Sequence, residues 1–157
     1  MNLKKLLISL VLCLGAGGIG AYFTIPAIGN WYELLQKPTF TPPNWFFGPV
    51  WTVLYIMMSL ALYSIWDNRG PRYASKVAAY SKFGVQLILN ALWSVVFFGL
   101  HSIFGGLVII VGLWLAIAVT IQEFNKHVAL AAWLLVPYLL WVSYACALNY
   151  SLWRLNS

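Results

Sequence analysis

The chain is 157 residues long, 62% hydrophobic, 17% aromatic and 8% charged, with a formal net charge of +6 and a mean hydropathy of +0.83. A soluble domain carries about 25% charged residues, so this composition leaves too few polar side chains to clothe a water-facing surface and predicts an integral membrane protein. Its positive charge then speaks to orientation in a bilayer, and no basic face interleaved with stacking aromatics offers a nucleic-acid surface.

Crossing a bilayer core takes about 20 apolar residues. Five runs meet that length, which predicts an all-α bundle of five transmembrane helices forming one membrane domain over 1–157. The first is expected over 6–27. Lys4 and Lys5 ahead of Leu6–Leu14 imitate a signal peptide, but the apolar run continues to about Ala27 without a small-residue cleavage site, so it reads as a retained helix. Gly15, Gly17, Gly18 and Gly20 let a neighbouring helix approach closely.

The connection 28–44 and the start of the second span hold Trp31, Tyr32, Phe40, Trp45, Phe46, Phe47, Trp51 and Tyr55. Pro38, Pro42, Pro43 and Pro49 hold φ at about −65° and remove donors, predicting a stiff, extended segment up to a helix that starts near Asn44 or Trp45. Asn44 is the expected N-cap, and Pro49 falls early enough in the helix to be tolerated. An interfacial aromatic belt explains many of the rings, but not the four prolines. The segment is therefore read as a lid over something flat and apolar, with Trp31, Phe40, Pro42, Pro43 and Trp45 forming it.

The second span is expected over 45–66. The polar stretch Asp67–Lys82 follows, with a turn signal at Asn68–Pro71. The third span is placed at 80–100, the fourth at 103–124 after a break at His101–Ser102, and the fifth at 128–150. One side then receives Lys4, Lys5, Arg69, Arg72, Lys76, Lys82 and Lys126, the other only Lys37 and Arg154. The positive-inside rule puts the N-terminus in the cytoplasm and the aromatic connection and C-terminus across the membrane.

Gln86, Asn90, Trp93 and Phe97 recur at i, i+4, i+7, i+11 and share one stripe of the third span. Two uncharged amides will not face lipid unpaired. They either bond neighbouring helices or line a cavity and orient a ligand's polar edge. Trp141, Ala145 and Asn149 share a face of the fifth span, which Pro137 is expected to kink, and Ala145 leaves room for a flat guest. Trp51 and Tyr55 share a face of the second. Three helices thus offer rings beside small or amide groups, the usual make-up of a small-molecule pocket.

What is missing narrows the chemistry. No Lys, Arg, Asp, Glu or His sits mid-span; the only acids, Glu33, Asp67 and Glu123, fall at or near ends. Proton- or ion-coupled transport needs such groups, and a retinal Schiff base needs a buried lysine. His101 and His127 lie in connections, so a deep haem would lack a histidine ligand. No metal site and no nucleophile–base pair is expected, no cofactor is required, and Cys13 and Cys146 read as packing residues.

Four segments together resemble the TspO/MBR family, the bacterial tryptophan-rich sensory proteins and the mitochondrial translocator protein (peripheral-type benzodiazepine receptor). They are W-Y-x-x-L-x-K-P-x-F-x-P-P (Trp31–Pro43), P-V-W-x-x-L-Y (Pro49–Tyr55), Q-L-x-L-N-x-x-W-x-x-x-F-F (Gln86–Phe98) and P-Y-L-x-W-x-x-Y-A-x-x-L-N-Y (Pro137–Tyr150). The resemblance implies five transmembrane helices, a homodimer and a pocket closed by the first loop. It also implies ligands such as protoporphyrin IX, sterols and benzodiazepine-type compounds. Carried over by motif, the pocket uses Tyr32, Trp51, Asn90, Trp93, Trp141 and Ala145, with Tyr55, Gln86 and Asn149 beside them.

Two departures bear on this. Phe40 stands where an indole is common, and Ile109 lies near the place of an acidic residue found early in the fourth helix of some members. Leu148–Arg154 fits a loose cholesterol pattern, although Tyr150, Trp153 and Arg154 need no sterol at an interface. The expected function is a receptor or carrier for tetrapyrroles and similar flat ligands, with a sensing or transport role in a bacterial cell membrane. The alternatives are light-dependent porphyrin degradation, with Trp51 and Trp141 as electron donors, and a sterol or lipid carrier. Gly15, Gly84, Gly105 and Gly112 are the small residues offered to a dimer contact.

Overall fold

The computed structural model describes residues 2–68, 70 and 73–157. Five helices account for most of them: α1 (Leu3–Ile28), α2 (Asn44–Asp67), α3 (Tyr73–Ser94), α4 (Ile103–Asn125) and α5 (Ala129–Asn156). Each is long and apolar enough to cross a membrane, α3 in its part Lys76–Gly99. They close into a ring in which α1 packs on α2, α2 on α5, α5 on α4, α4 on α3 and α3 back on α1. Chain neighbours and ring neighbours therefore differ, and residues of α2, α3 and α5 meet at the centre.

The helix ends depart from the expected ones. α3 begins at Tyr73 instead of near 80, and α5 runs to Asn156 instead of 150. Long lysine stems explain the first: Lys76 is buried along its stem and its ammonium donates to the Asn68 carbonyl, so polar residues extend the helix beyond the hydrocarbon. Asn44 is not the cap but the first helical residue; Pro43, extended at φ −57° and ψ 145°, takes the cap position without a side-chain bond. The 28–44 connection is not uniformly extended either. It folds a single 3-10 turn at Tyr32–Leu34 and a tight turn in which the Thr41 amide donates to the Pro38 carbonyl at 3.1 Å. Pro137 lies within α5, which is assigned as one continuous helix.

Beyond Ser94 the third helix widens into a π-helical turn, Val95–Gly99, closed by the Leu100 amide on the Val95 carbonyl at 2.9 Å. The extra residue in that turn brings both Phe97 and Phe98 inward, 2% and 5% exposed. His101 then turns the chain at φ 55°, and the Ser102 hydroxyl caps α4 by accepting from the Gly105 amide. Two glycines are demanded by close approach. A Cβ on Gly17 would lie 2.6 Å from the Tyr55 ring, and one on Gly106 would lie 2.7 Å from the Phe97 ring. Gly105, offered above to a dimer contact, instead packs within the chain, where an added Cβ would meet Ser102 at 2.7 Å.

Charge gathers at one end of the bundle. Lys5 pairs with Asp67 at 3.4 Å, Asn68 donates to the His127 carbonyl at 3.1 Å, and Glu123 accepts from both Lys82 and Lys126. Lys37 and Arg154 lie toward the opposite end, where Asn156 meets Gln36. Arg69, Arg72 and the Pro71 of the expected turn lie outside the described residues.

Candidate functional site

A cavity of about 470 Å³ lies between α1 and α2, with the end of α3 as its floor. Its α1 side is lined by the small residues Gly17, Gly18, Gly20 and Ala21 between Leu14 and Ile25, and Trp45, Phe47, Trp51, Tyr55, Trp93 and Phe98 supply rings to the facing side. Of the expected ligand-binding residues, Trp51, Tyr55 and Trp93 face this cavity, and Trp45 of the lid stands at its end. Their rings form a continuous wall. Trp51 lies 5.7 Å from Tyr55 and 6.2 Å from Trp93, tilted by only 30° and 32°, and Trp93 stacks on Phe97 at 5.5 Å.

The remaining expected residues do not line the cavity but pack behind that wall. Asn90, 1% exposed, accepts from the Tyr55 hydroxyl and donates to the Tyr138 hydroxyl at 2.7 Å, so it ties α2, α3 and α5 together. Asn149 accepts from the Trp93 indole at 3.2 Å and donates to the Ile103 carbonyl at 3.0 Å. Of the two readings open for such amides, these two serve as interhelical bonds, because each already has partners on other segments. Ala145 is 8% exposed in the packed core. Replacing Asn90 with Leu strands two buried hydroxyls, and a loss of about 2 kcal/mol is expected, read as a lower midpoint of thermal unfolding in detergent. An unchanged midpoint would show that the triad contributes nothing.

Four other side chains carry buried atoms with no hydrogen-bond partner among the described residues: the Tyr32 hydroxyl, the Trp141 indole nitrogen, both amide atoms of Gln86 and His127 Nε2, the last standing 3.6 Å from the Glu123 carboxylate. Leaving such a group unpaired costs about 1–3 kcal/mol, so each calls for a reason. Tyr32 and Trp141 flank one ring. Phe47 sits 6.5 Å from Tyr32 and 6.1 Å from Trp141, edge-on to both, and also lines the cavity. Burial pushes the Tyr32 hydroxyl up to about 12, so it remains a donor at any physiological pH.

The 28–44 connection is fastened over this region. Trp31 stacks on His101 at 4.6 Å and 13°. The Phe40 carbonyl accepts from the Tyr144 hydroxyl at 2.5 Å. The Asn156 side chain clasps the Gln36 backbone by two bonds, accepting from its amide and donating to its carbonyl, each at 2.9 Å. Pro42 and Pro43 carry the chain into α2, and Trp45 is 72% exposed. No group of three or more metal-ligating side chains occurs among the described residues.

Two contributors were missed from sequence. Phe47, Trp51 and Tyr55 recur every four residues, a spacing that marks Phe47 as part of the same stripe. The small face of α1 was read only as a helix contact, although Gly18 meets nothing where a Cβ would stand.

With this geometry in hand, comparison with known proteins is informative. The sequence pattern of the TspO/MBR family matches residues 9–154. "Tryptophan-rich protein TspO" of Archaeoglobus fulgidus is 44% identical over 157 residues, 100% of both chains. "Protein CrtK" of Rhodobacter capsulatus is 38% identical over 99% of this chain and 95% of its own. The human "Translocator protein" is 38% identical over 81% of this chain and 75% of its own.

Proposed function

The chain belongs to the TspO/MBR family and is a multi-pass membrane protein, and from that premise we propose that it is a receptor or carrier for flat, apolar, acceptor-bearing ligands of the tetrapyrrole class. The observation that carries this reading is the pair of orphaned donors, Tyr32 and Trp141, on either side of Phe47 at the cavity wall. A macrocycle stacks on Trp51 and Trp93. Rotation of Phe47 lets the hydroxyl and the indole donate to carboxylate or carbonyl oxygens on its edge. Both donors gain the partners they lack, so binding recovers a cost the unliganded chain carries. The human relative is called a translocator protein, which supports a translocating role.

Titration of the purified protein with protoporphyrin IX tests this through tryptophan fluorescence. Saturable quenching is expected, and its absence rejects the reading. A sterol that displaces the porphyrin shares the chamber; one that binds where porphyrin does not makes the protein a sterol carrier instead.

The gathering of Lys4, Lys5, Lys76, Lys82 and Lys126 at one end supports a cytoplasmic N-terminus. A reporter fused after Ser157 is expected to be active only on the far side, and cytoplasmic activity reverses the assignment. Gly15, Gly84 and Gly112, where an added Cβ would meet nothing, support a homodimer. A second reading rests on the 6.2 Å Trp51–Trp93 pair at the cavity. Light-excited porphyrin takes one electron from the Trp51 indole, leaving an indole radical cation and a porphyrin radical anion; dioxygen couples with that anion to form a peroxyl adduct on the macrocycle, the step that leads to bleaching, and Trp141, packed behind the wall, is the further donor. Bleaching of bound pigment no faster than free pigment removes it.

A further inference from the structure

We infer that the ligand enters sideways, out of the hydrocarbon between α1 and α2, and that the 28–44 connection is a fixed cap instead of the door. This rests on the binding function proposed above and concerns the route to the same chamber. Cavity-lining residues recur on α1 at Leu14, Gly18, Ala21, Ile25 and Ile28, one face over four turns. At 1.5 Å per residue that face is about 21 Å long, most of a hydrocarbon core, so the opening runs along the membrane and not toward water. The α2 side matches it with Gly48, Trp51 and Thr52.

The groove is open because side chains are absent from it. A Cβ added at Gly18 or Gly48 would meet nothing within 4 Å. Apart from Gly20, which lines the cavity, the residues buried on α1 are Ser9, Cys13 and Ala27, so that helix is held along a narrow seam that leaves Leu14, Gly18 and Ile25 exposed along the groove. The water-facing route is closed by contrast: the clasp of Asn156 on Gln36, the Tyr144–Phe40 bond and the Trp31–His101 stack fasten the connection at three separate points. A flat apolar molecule already partitions into lipid. It reaches the Trp51–Trp93 wall through the groove without any of these fastenings breaking.

The space at the two glycines supplies the test. Gly18→Leu with Gly48→Leu fills the groove without touching the core, and Val11→Phe, on the same helix, 71% exposed and outside the groove, is the control. Each protein is placed in lipid nanodiscs and mixed with vesicles carrying protoporphyrin IX, and tryptophan quenching is followed in time. The expected result is that association slows by about tenfold or more in the double variant, whatever the change in Kd, while Val11→Phe behaves as wild type. Asn156→Ala, which releases Gln36, is expected to leave the rates within about twofold of wild type.

Wild-type rates in the double variant, or faster loading in Asn156→Ala, overturn the sideways route while leaving the binding function standing. A weakened Kd at unchanged association rate also overturns it, because the groove is then where the ligand rests. Failure of the wild-type protein to bind removes the binding function and this inference with it.

Discussion

Gly106→Val is expected to be the most damaging single substitution in the bundle. A Cβ there lies 2.7 Å from Phe97 Cδ2, 3.0 Å from Phe97 Cβ and 3.2 Å from Asn149 Oδ1. Neither neighbour can retreat. Phe97 is 2% exposed, stacked on Trp93 and held by the π-helical turn, and Asn149 is bonded to both Trp93 and Ile103. Overpacking a tight core costs about 1–3 kcal/mol, and valine adds two methyl groups beyond the Cβ, so a loss at the top of that range is expected. Thermal unfolding in detergent reads it as a midpoint lowered by several degrees. Val108→Ile on the same helix is the control; that side chain is 58% exposed, and the effect should stay within about 0.5 kcal/mol. Equal midpoints for the two variants would contradict the packing described for the α3–α4 corner.

Trp51→Ala is expected to weaken protoporphyrin IX binding by about thirtyfold or more, the scale of a buried aromatic anchor. Its ring is the hub of the wall, within reach of Tyr55, Trp93 and Tyr138. The orphaned donors give a finer signature. Tyr32→Phe removes a buried hydroxyl that has no partner, so the unliganded protein should become more stable, by about 1 kcal/mol. The same change should weaken binding by about five- to tenfold, because the ligand loses a donor. Trp141→Phe removes the other unpartnered donor and should move both quantities in the same directions. Stability and affinity moving oppositely mark a group kept for a ligand. If Tyr32→Phe destabilises the empty protein and leaves the quenching curve untouched, the hydroxyl serves packing alone.

The five helices were legible because a membrane span announces itself by length and apolarity, which demand no knowledge of neighbours. Their ends were less so. Lys76 and Lys82 look like loop residues in a hydropathy profile, yet long stems allow them to stay helical. The stripe Gln86–Asn90–Trp93 is buried along its length, but periodicity cannot say what stands opposite. That Asn90 finds Tyr55 and Tyr138 follows from the ring order of the helices, which the chain order does not reveal. The π-helical turn was invisible for a similar reason. Val95–Gly99 reads as ordinary apolar helix, and the close packing of Phe97 on Gly106 of α4 is not written in that run. The latch of Asn156 on Gln36 joins residues at opposite ends of the chain that carry no motif at all.

A structure of the complex with protoporphyrin IX tests the central claim most directly. The account places the macrocycle within about 4 Å of the Trp51 ring, Phe47 turned out of its present position, and the Tyr32 hydroxyl and Trp141 indole donating to oxygens of the pigment. A porphyrin seated on the outer lipid-facing surface, with Phe47 still between Tyr32 and Trp141 and both donors unpartnered, would contradict it.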